Sequence, residues 1–147
     1  MSEEFKAADR TILEVWSTGD VDRLDDLVAA DIVHHDPYDP NAAAGLAGMK
    51  RGIIDYRKAF PDVEFVVEDQ VAEGDKVLTR WRSTATHLGS LMGEEPTGNR
   101  VTCTGMVVER FEDGKIVEAW RNWDALALLL SIGVVATVDR PPAPATS

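Results

Sequence analysis

Two side chains in this sequence combine a residue type and a setting suited to proton transfer, Asp124 and His87. Asp124 follows an aromatic run that contains Trp120 and Trp123. Burial among indole rings disfavours the charged form of a carboxyl, raises its pKa, and makes it a usable general acid or base near neutral pH. The same position suits an N-cap for a helix starting at Ala125, where aspartate accepts a backbone N–H. The two roles are compatible. His87 ends a strand-like run with the parity of Trp81, Ser83 and Ala85. If that face is the inner one, an imidazole able to shuttle protons enters a pocket with them. A lone histidine before a glycine loop also reads as a surface or hydrogen-bonded residue.

Other chemistries find less support. His34, His35 and Asp36 are consecutive in a strand, so neighbours point to opposite faces, and no second ligand cluster completes a metal site. The single cysteine, Cys103, lies in an apolar strand and reads as packing. A nucleophile elbow and a phosphate-binding glycine loop ahead of a helix are both lacking. Arg80 and Arg82 flank Trp81 on the other face, as surface ion pairs or an oligomer contact would. Tyr38 and Tyr56 can donate hydrogen bonds to a ligand or simply pack. Opening an epoxide would want an arginine between two acids in a cavity; Arg110 is the candidate, and Glu118 reads as its partner.

The element that must position Asp124 is a β-hairpin over residues 105–124, turned at Asp113-Gly114. A two-residue turn at Asp113-Gly114 would set Glu109 opposite Glu118, a like-charge pair. A three-residue turn, Glu112-Asp113-Gly114, with Gly114 left-handed, instead brings Glu118 beside Arg110. In that register Trp120, Asn122 and Asp124 share a face with Thr102, Thr104, Met106 and Val108, a mostly apolar surface with a few polar groups, as ligand cavities have. Val107, Ala119 and Arg121 then fall on the outer face, whose burial predicts a dimer or larger oligomer. The expected pocket collects Asp124 and His87 with Trp81, Met106, Trp120, Asn122, His35 and Tyr38.

Upstream, Phe5, Ala8, Ile12, Val15 and Trp16 recur at helical spacing over residues 3–17, with Glu3, Glu4, Lys6, Asp9 and Arg10 assigned to the solvent side. Gly19 ends this helix and Asp20 can cap a second, 21–30. Residues 31–36 form a short strand stopped by Pro37, and 37–45 a loop. A third helix covers 46–60, followed by strands 63–72 and 76–87, a loop 88–99, the 100–111 strand, and a short helix after Asp124 ended by Gly133. Helices first and antiparallel strands after make an α+β fold, with a cone-shaped, curved antiparallel sheet wrapped around the N-terminal helices.

The chain has 147 residues, enough for one domain over 1–136 with a Pro/Ala-rich tail at 137–147. Its formal charge of −11 argues against nucleic acid and anionic membranes. No apolar run nears the roughly 20 residues of a membrane helix, and MSEEFK lacks the basic and apolar regions of a signal peptide. A cytoplasmic protein is the expectation.

The segments THLGSLMGEEPTGNRV, RFEDGKIVEAW and WDALALLLSIG, together with His35-Asp36-Pro37, resemble the SnoaL-like polyketide cyclases of the nuclear transport factor 2-like superfamily. Thr97-Gly98-Asn99 stands where that family usually has threonine-glycine-lysine, and Ala85 where a glycine is frequent. The resemblance implies a cone-shaped α+β barrel, often a dimer or tetramer, with no metal or organic cofactor. It implies that Asp124 is the general acid/base of an intramolecular aldol ring closure of a hydrophobic polyketide-like compound, with His87 nearby. The superfamily fold also carries epoxide hydrolases and plain small-molecule binding proteins, so fold alone does not fix the reaction.

Overall fold

A computed structural model describes residues 2–38 and 44–134. The tail expected at 137–147 and part of the 37–45 loop lie outside the described residues.

The amphipathic opening segment forms α1 (Ser2–Thr18), closed at Gly19 with φ 82°. A 3₁₀ turn (Val21–Asp26) replaces the expected second helix, and Asp20 makes no side-chain cap. Strand β1 (Val28–His35) therefore starts three residues earlier than its β-branched centre suggested. Then come α2 (Gly45–Ala59), β2 (Glu64–Glu73), β3 (Lys76–Thr86), β4 (Arg100–Glu112), β5 (Lys115–Trp123) and α3 (Ala125–Ser131).

The sheet order is β1-β5-β4-β3-β2. β2 to β5 are antiparallel neighbours, but β1 runs parallel to β5, so the sheet is mixed where an antiparallel one was expected. β1 joins by a long connection rather than a hairpin, which leaves its direction free of the antiparallel constraint. The sheet curves without closing, and its concave face carries the helices. α1 crosses β2 and β3, α2 lies on β1, and α3 lies on β4. Phe5 of α1 stacks on Phe111 of β4, with ring centroids 4.1 Å apart, in the main core beside Ile12, Val15, Ile53 and Ile116.

The β4–β5 turn differs from the expected form. Glu112 pairs with Lys115 across Asp113-Gly114, whose φ values of 52° and 79° are those of a two-residue type I′ turn. The like-charge clash is avoided by a bulge in β5 at Val117, after which Arg110 pairs with Glu118 and Glu109 with Ala119. Arg110 Nη2 donates to Glu118 Oε1 at 3.1 Å, so the partnership expected of these two side chains forms by a different turn.

Candidate active site

The concave face of the sheet and the three helices enclose a cavity of about 250 Å³. α1 supplies Ile12, Leu13 and Trp16, α2 supplies Gly52 and Tyr56, and α3 supplies Leu128 and Leu129. The strands add Phe65, Trp81 and Trp123. These rings pack edge to face: Phe65 against Trp81 at 5.0 Å and Trp16 against Tyr56 at 5.7 Å. Tyr38 and Met92, both exposed, form the rim, and the Tyr38 hydroxyl donates to Met92 Sδ at 3.0 Å. Asp36 fixes this corner by accepting from Trp123 Nε1 at 3.2 Å and from the Tyr38 backbone N–H at 2.9 Å.

Besides Asp36 and Tyr38 at the rim, Arg121, Glu109 and Tyr56 bring polar groups to this apolar space. Arg121 comes from β5, and its guanidinium carbon lies 5.3 Å from the Trp16 ring centre, a cation–π contact. Arg82, Arg100 and Arg110 each hold a carboxylate at 2.8, 3.1 and 3.1 Å. Arg121 has no such partner among the described residues. Burial lowers its pKa, while the charges of Asp36 and Glu109 act to raise it. Val107 pairs with Arg121, and Glu109 pairs with Ala119, so Glu109 and Arg121 are diagonal neighbours on the inner face. Tyr56 is the third; burial pushes its phenol above the ordinary value and keeps it a hydrogen-bond donor.

Behind Glu109 sits Asp9, a residue assigned to solvent in the sequence and in fact 2% exposed. Asp9 Oδ2 accepts from Thr79 Oγ1 at 2.7 Å, and Thr79 Oγ1 accepts from Gln70 Nε2 at 3.1 Å. Gln70 is itself held by Arg10, whose Nη1 donates to Gln70 Oε1 at 2.8 Å. Asp9 and Glu109 are two buried carboxyls in contact, and neither was singled out in the sequence as a site residue. The signal was present. Asp9 is four residues from both Phe5 and Leu13, on the apolar stripe, and Glu109 alternates with Val107 and Phe111.

The residues singled out in the sequence divide between places. Trp81 lines the cavity and Tyr38 its rim. Met106, Trp120 and Asn122 lie on the outer face, because Trp81 pairs with Gly105 and Met106 with Asn122, so Met106 and Trp81 point oppositely. Val107, Ala119 and Arg121, expected outside, are the inner set. His35 is on the outer face too, stacked on Trp120 at 5.4 Å with Nε2 2.7 Å from Glu118 Oε2. His34 points the other way and is the more buried of the two.

His87 is fully buried but packs beside Phe60, ring centroids 5.6 Å apart, and does not line the cavity. Its Nδ1 accepts from the Thr97 backbone N–H at 3.2 Å and lies 3.0 Å from Thr97 Oγ1, which ties down the 88–99 loop. Asp124 is exposed and caps α3, with Oδ1 accepting from the Ala127 N–H at 3.0 Å. Of the two readings open in the sequence, capping is the one its geometry performs. Cys103 is buried on the inner side, and burial pushes its thiol up to about 11.

The model of the SnoaL-like polyketide cyclase family matches residues 6–132. No curated protein matches the sequence. Among solved structures, AclR of Streptomyces galilaeus, described as a proposed hydroxylase, is 34% identical with a TM-score of 0.83, over 95% of this chain and 87% of its own. IdmH of Streptomyces antibioticus, a proposed polyketide cyclase, is 30% identical with a TM-score of 0.78, over 87% of this chain and 97% of its own. A proposed polyketide cyclase of Acidithiobacillus ferrooxidans is 30% identical with a TM-score of 0.79, over 92% of this chain and 97% of its own.

Proposed function

The chain belongs to the SnoaL-like polyketide cyclase family, and on that premise we propose that it is a cofactor-independent cyclase-type enzyme. Its reaction is an intramolecular aldol ring closure in a hydrophobic, polyketide-like carbonyl compound.

The observation that carries this reading is the guanidinium of Arg121, without a carboxylate partner among the described residues, in an aromatic cavity and diagonal to the Glu109 carboxyl. An aldol closure removes a proton from carbon and places negative charge on a carbonyl oxygen. A preorganised donor aimed at such an oxygen in a low-dielectric site is worth about 10²–10³-fold in rate. Arg121 is that donor, and the Tyr56 hydroxyl is a second within the same walls. Aromatic rings around both supply the apolar burial that a polyketide needs for affinity.

The test is turnover of a synthetic linear poly-β-ketone in buffer treated with a chelator. The expected product has the mass of the substrate and the absorbance of a closed ring. Arg121→Leu should keep most of the binding and lose about 10²-fold or more in rate.

A binding-only role is the second reading, and one observation favours it: Asp124, the acid/base implied by the resemblance, faces solvent and caps α3. Tight binding of the ketone with no conversion would select that reading.

A further inference from the structure

We propose that Asp9 and Glu109 act together as one catalytic base, a carboxyl pair that holds a single proton at rest and takes a second from substrate carbon. The inference rests on the carbonyl-substrate reading above and names the proton acceptor that reading lacks.

The geometry is that of a shared proton. Asp9 and Glu109 are 2% and 3% exposed. Asp9 Oδ1 and Glu109 Oε2 have no N–H or O–H partner among the described residues. Two ionised carboxylates cannot touch in such a place; with one proton between them each satisfies the other. Its position on the pair is set by the neighbours. Thr79 donates to Asp9 at 2.7 Å, and Gln70 donates to Thr79, which points the Thr79 hydroxyl hydrogen at Asp9. Asp9 is thereby the acceptor and Glu109 the protonated partner. Burial first, and then the charge of Asp9, holds Glu109 well above the ordinary carboxylate range, while Asp9 is raised by burial and lowered by its hydrogen bonds.

Only Glu109 borders the cavity. In the forward step a substrate C–H proton passes to the cavity-facing oxygen of Glu109 as the proton on its other oxygen passes to Asp9. The C–H electron pair becomes an enolate, whose oxygen faces Arg121. The enolate carbon then bonds to a second carbonyl carbon, and the resulting alkoxide takes a proton back from Glu109. The pair ends with the one proton it began with, and product and substrate are isomers. Gln70 and Thr79 are positioning residues in this scheme, since they act on substrate only through Asp9.

The experiment uses the full chain and 2-tetralone, a ketone with acidic C–H groups next to its carbonyl. Exchange of those hydrogens in deuterated buffer reports enolisation without any need for the natural substrate. Wild type should bind the ketone and accelerate exchange. Glu109→Gln keeps a hydrogen bond to Asp9 and should bind within a few-fold, yet lose about 10²–10⁴-fold in exchange. Asp9→Asn should lose less, because Glu109 keeps its place. Infrared difference spectra form a separate arm: wild type at neutral pH should show a protonated-carboxyl stretch that Glu109→Gln lacks. Absence of that band in wild type overturns the shared proton. Unchanged exchange in Glu109→Gln with ketone still bound overturns the catalytic role alone. A wild type that binds no ketone overturns the carbonyl-substrate reading and the catalytic role with it, whatever the infrared band shows.

Discussion

Trp81 and Gly105 face each other directly across β3 and β4, and the indole fills the space a side chain at 105 would need: a Cβ there would lie 2.3 Å from Trp81 Cζ2. Residues opposite one another in antiparallel strands point the same way. That one pairing therefore makes Gly105, Val107 and Glu109 the inner set once Trp81 is inside, and turns Met106 and Val108 outward.

Gly105→Ala should accordingly push Trp81 out of its rotamer and into the cavity. Overpacking of this kind costs about 1–3 kcal/mol, read as a lower denaturant midpoint, with ketone binding weakened in parallel. Gly52 is the control. An added Cβ there meets nothing within 4 Å, so Gly52→Ala in α2 should stabilise by up to roughly 1 kcal/mol.

The same pairing explains what the sequence could and could not disclose. α1, α2, the β2–β3 hairpin, β4, β5 and α3 rest on strong periodicities and lie within a few residues of their expected bounds. The face of β4 and β5 depended on the pairing of Trp81 with Gly105, residues distant in sequence, which no local pattern encodes. Placing Trp81 and Met106 in one pocket was self-contradictory in the true register. β1 begins inside the segment expected as the 21–30 helix, because Val28 already pairs with Ile116 of β5, a contact distant in sequence. Asp9 and Glu109 escaped notice because charge is assigned to solvent by default, even on an apolar stripe. Arg121 was lost with the inverted face, and with it the cavity arginine for which Arg110 was the candidate.

Asp124 gives a direct contrast between cap and catalyst. Its Oδ1 satisfies the Ala127 N–H of α3. Asp124→Ala should lower stability by about 0.5–2 kcal/mol, and Asp124→Asn by only a few tenths, since asparagine caps equally well. Turnover should survive Asp124→Asn nearly intact. A large rate loss in that variant, with stability retained, would return the acid/base role to Asp124.

The outer face predicts assembly. Val71, Leu78, Val108, Trp120 and His35 form a continuous row across all five strands, and Val33 and Met106 are 50% and 48% exposed beside it. An apolar row on an open sheet favours burial against another copy. Sedimentation at micromolar concentration should give a dimer or tetramer, and Val108→Arg should dissociate it without unfolding the protomer. A wild type that sediments as a monomer near 16.1 kDa at every concentration removes the case.

The last prediction concerns pH, where two buried groups pull stability in opposite directions. Burial, and next the charge of Arg121, lowers His34 from 6.5 to about 4. Between those values the unfolded chain binds more protons than the folded one, so this group's contribution to stability rises with pH through that window and is lost as pH falls. At about 1.4 kcal/mol per pKa unit the full effect is of order 3–4 kcal/mol. Glu109 has the reverse sign. Its folded value is raised by burial from 4.5, so its contribution is complete below 4.5 and lost as pH rises toward the raised value. Above 4.5 the Glu109 slope opposes the His34 slope, so the wild-type profile is shallower than either group alone would give. His34→Asn should expose the falling limb, with stability decreasing from acid to neutral pH. Glu109→Gln should expose the rising limb and be more stable than wild type at neutral pH, because it removes the proton that this carboxyl must take up on folding. Urea titrations at closely spaced pH values measure both limbs, and matching profiles for the two variants would refute the assignment of these slopes to His34 and Glu109.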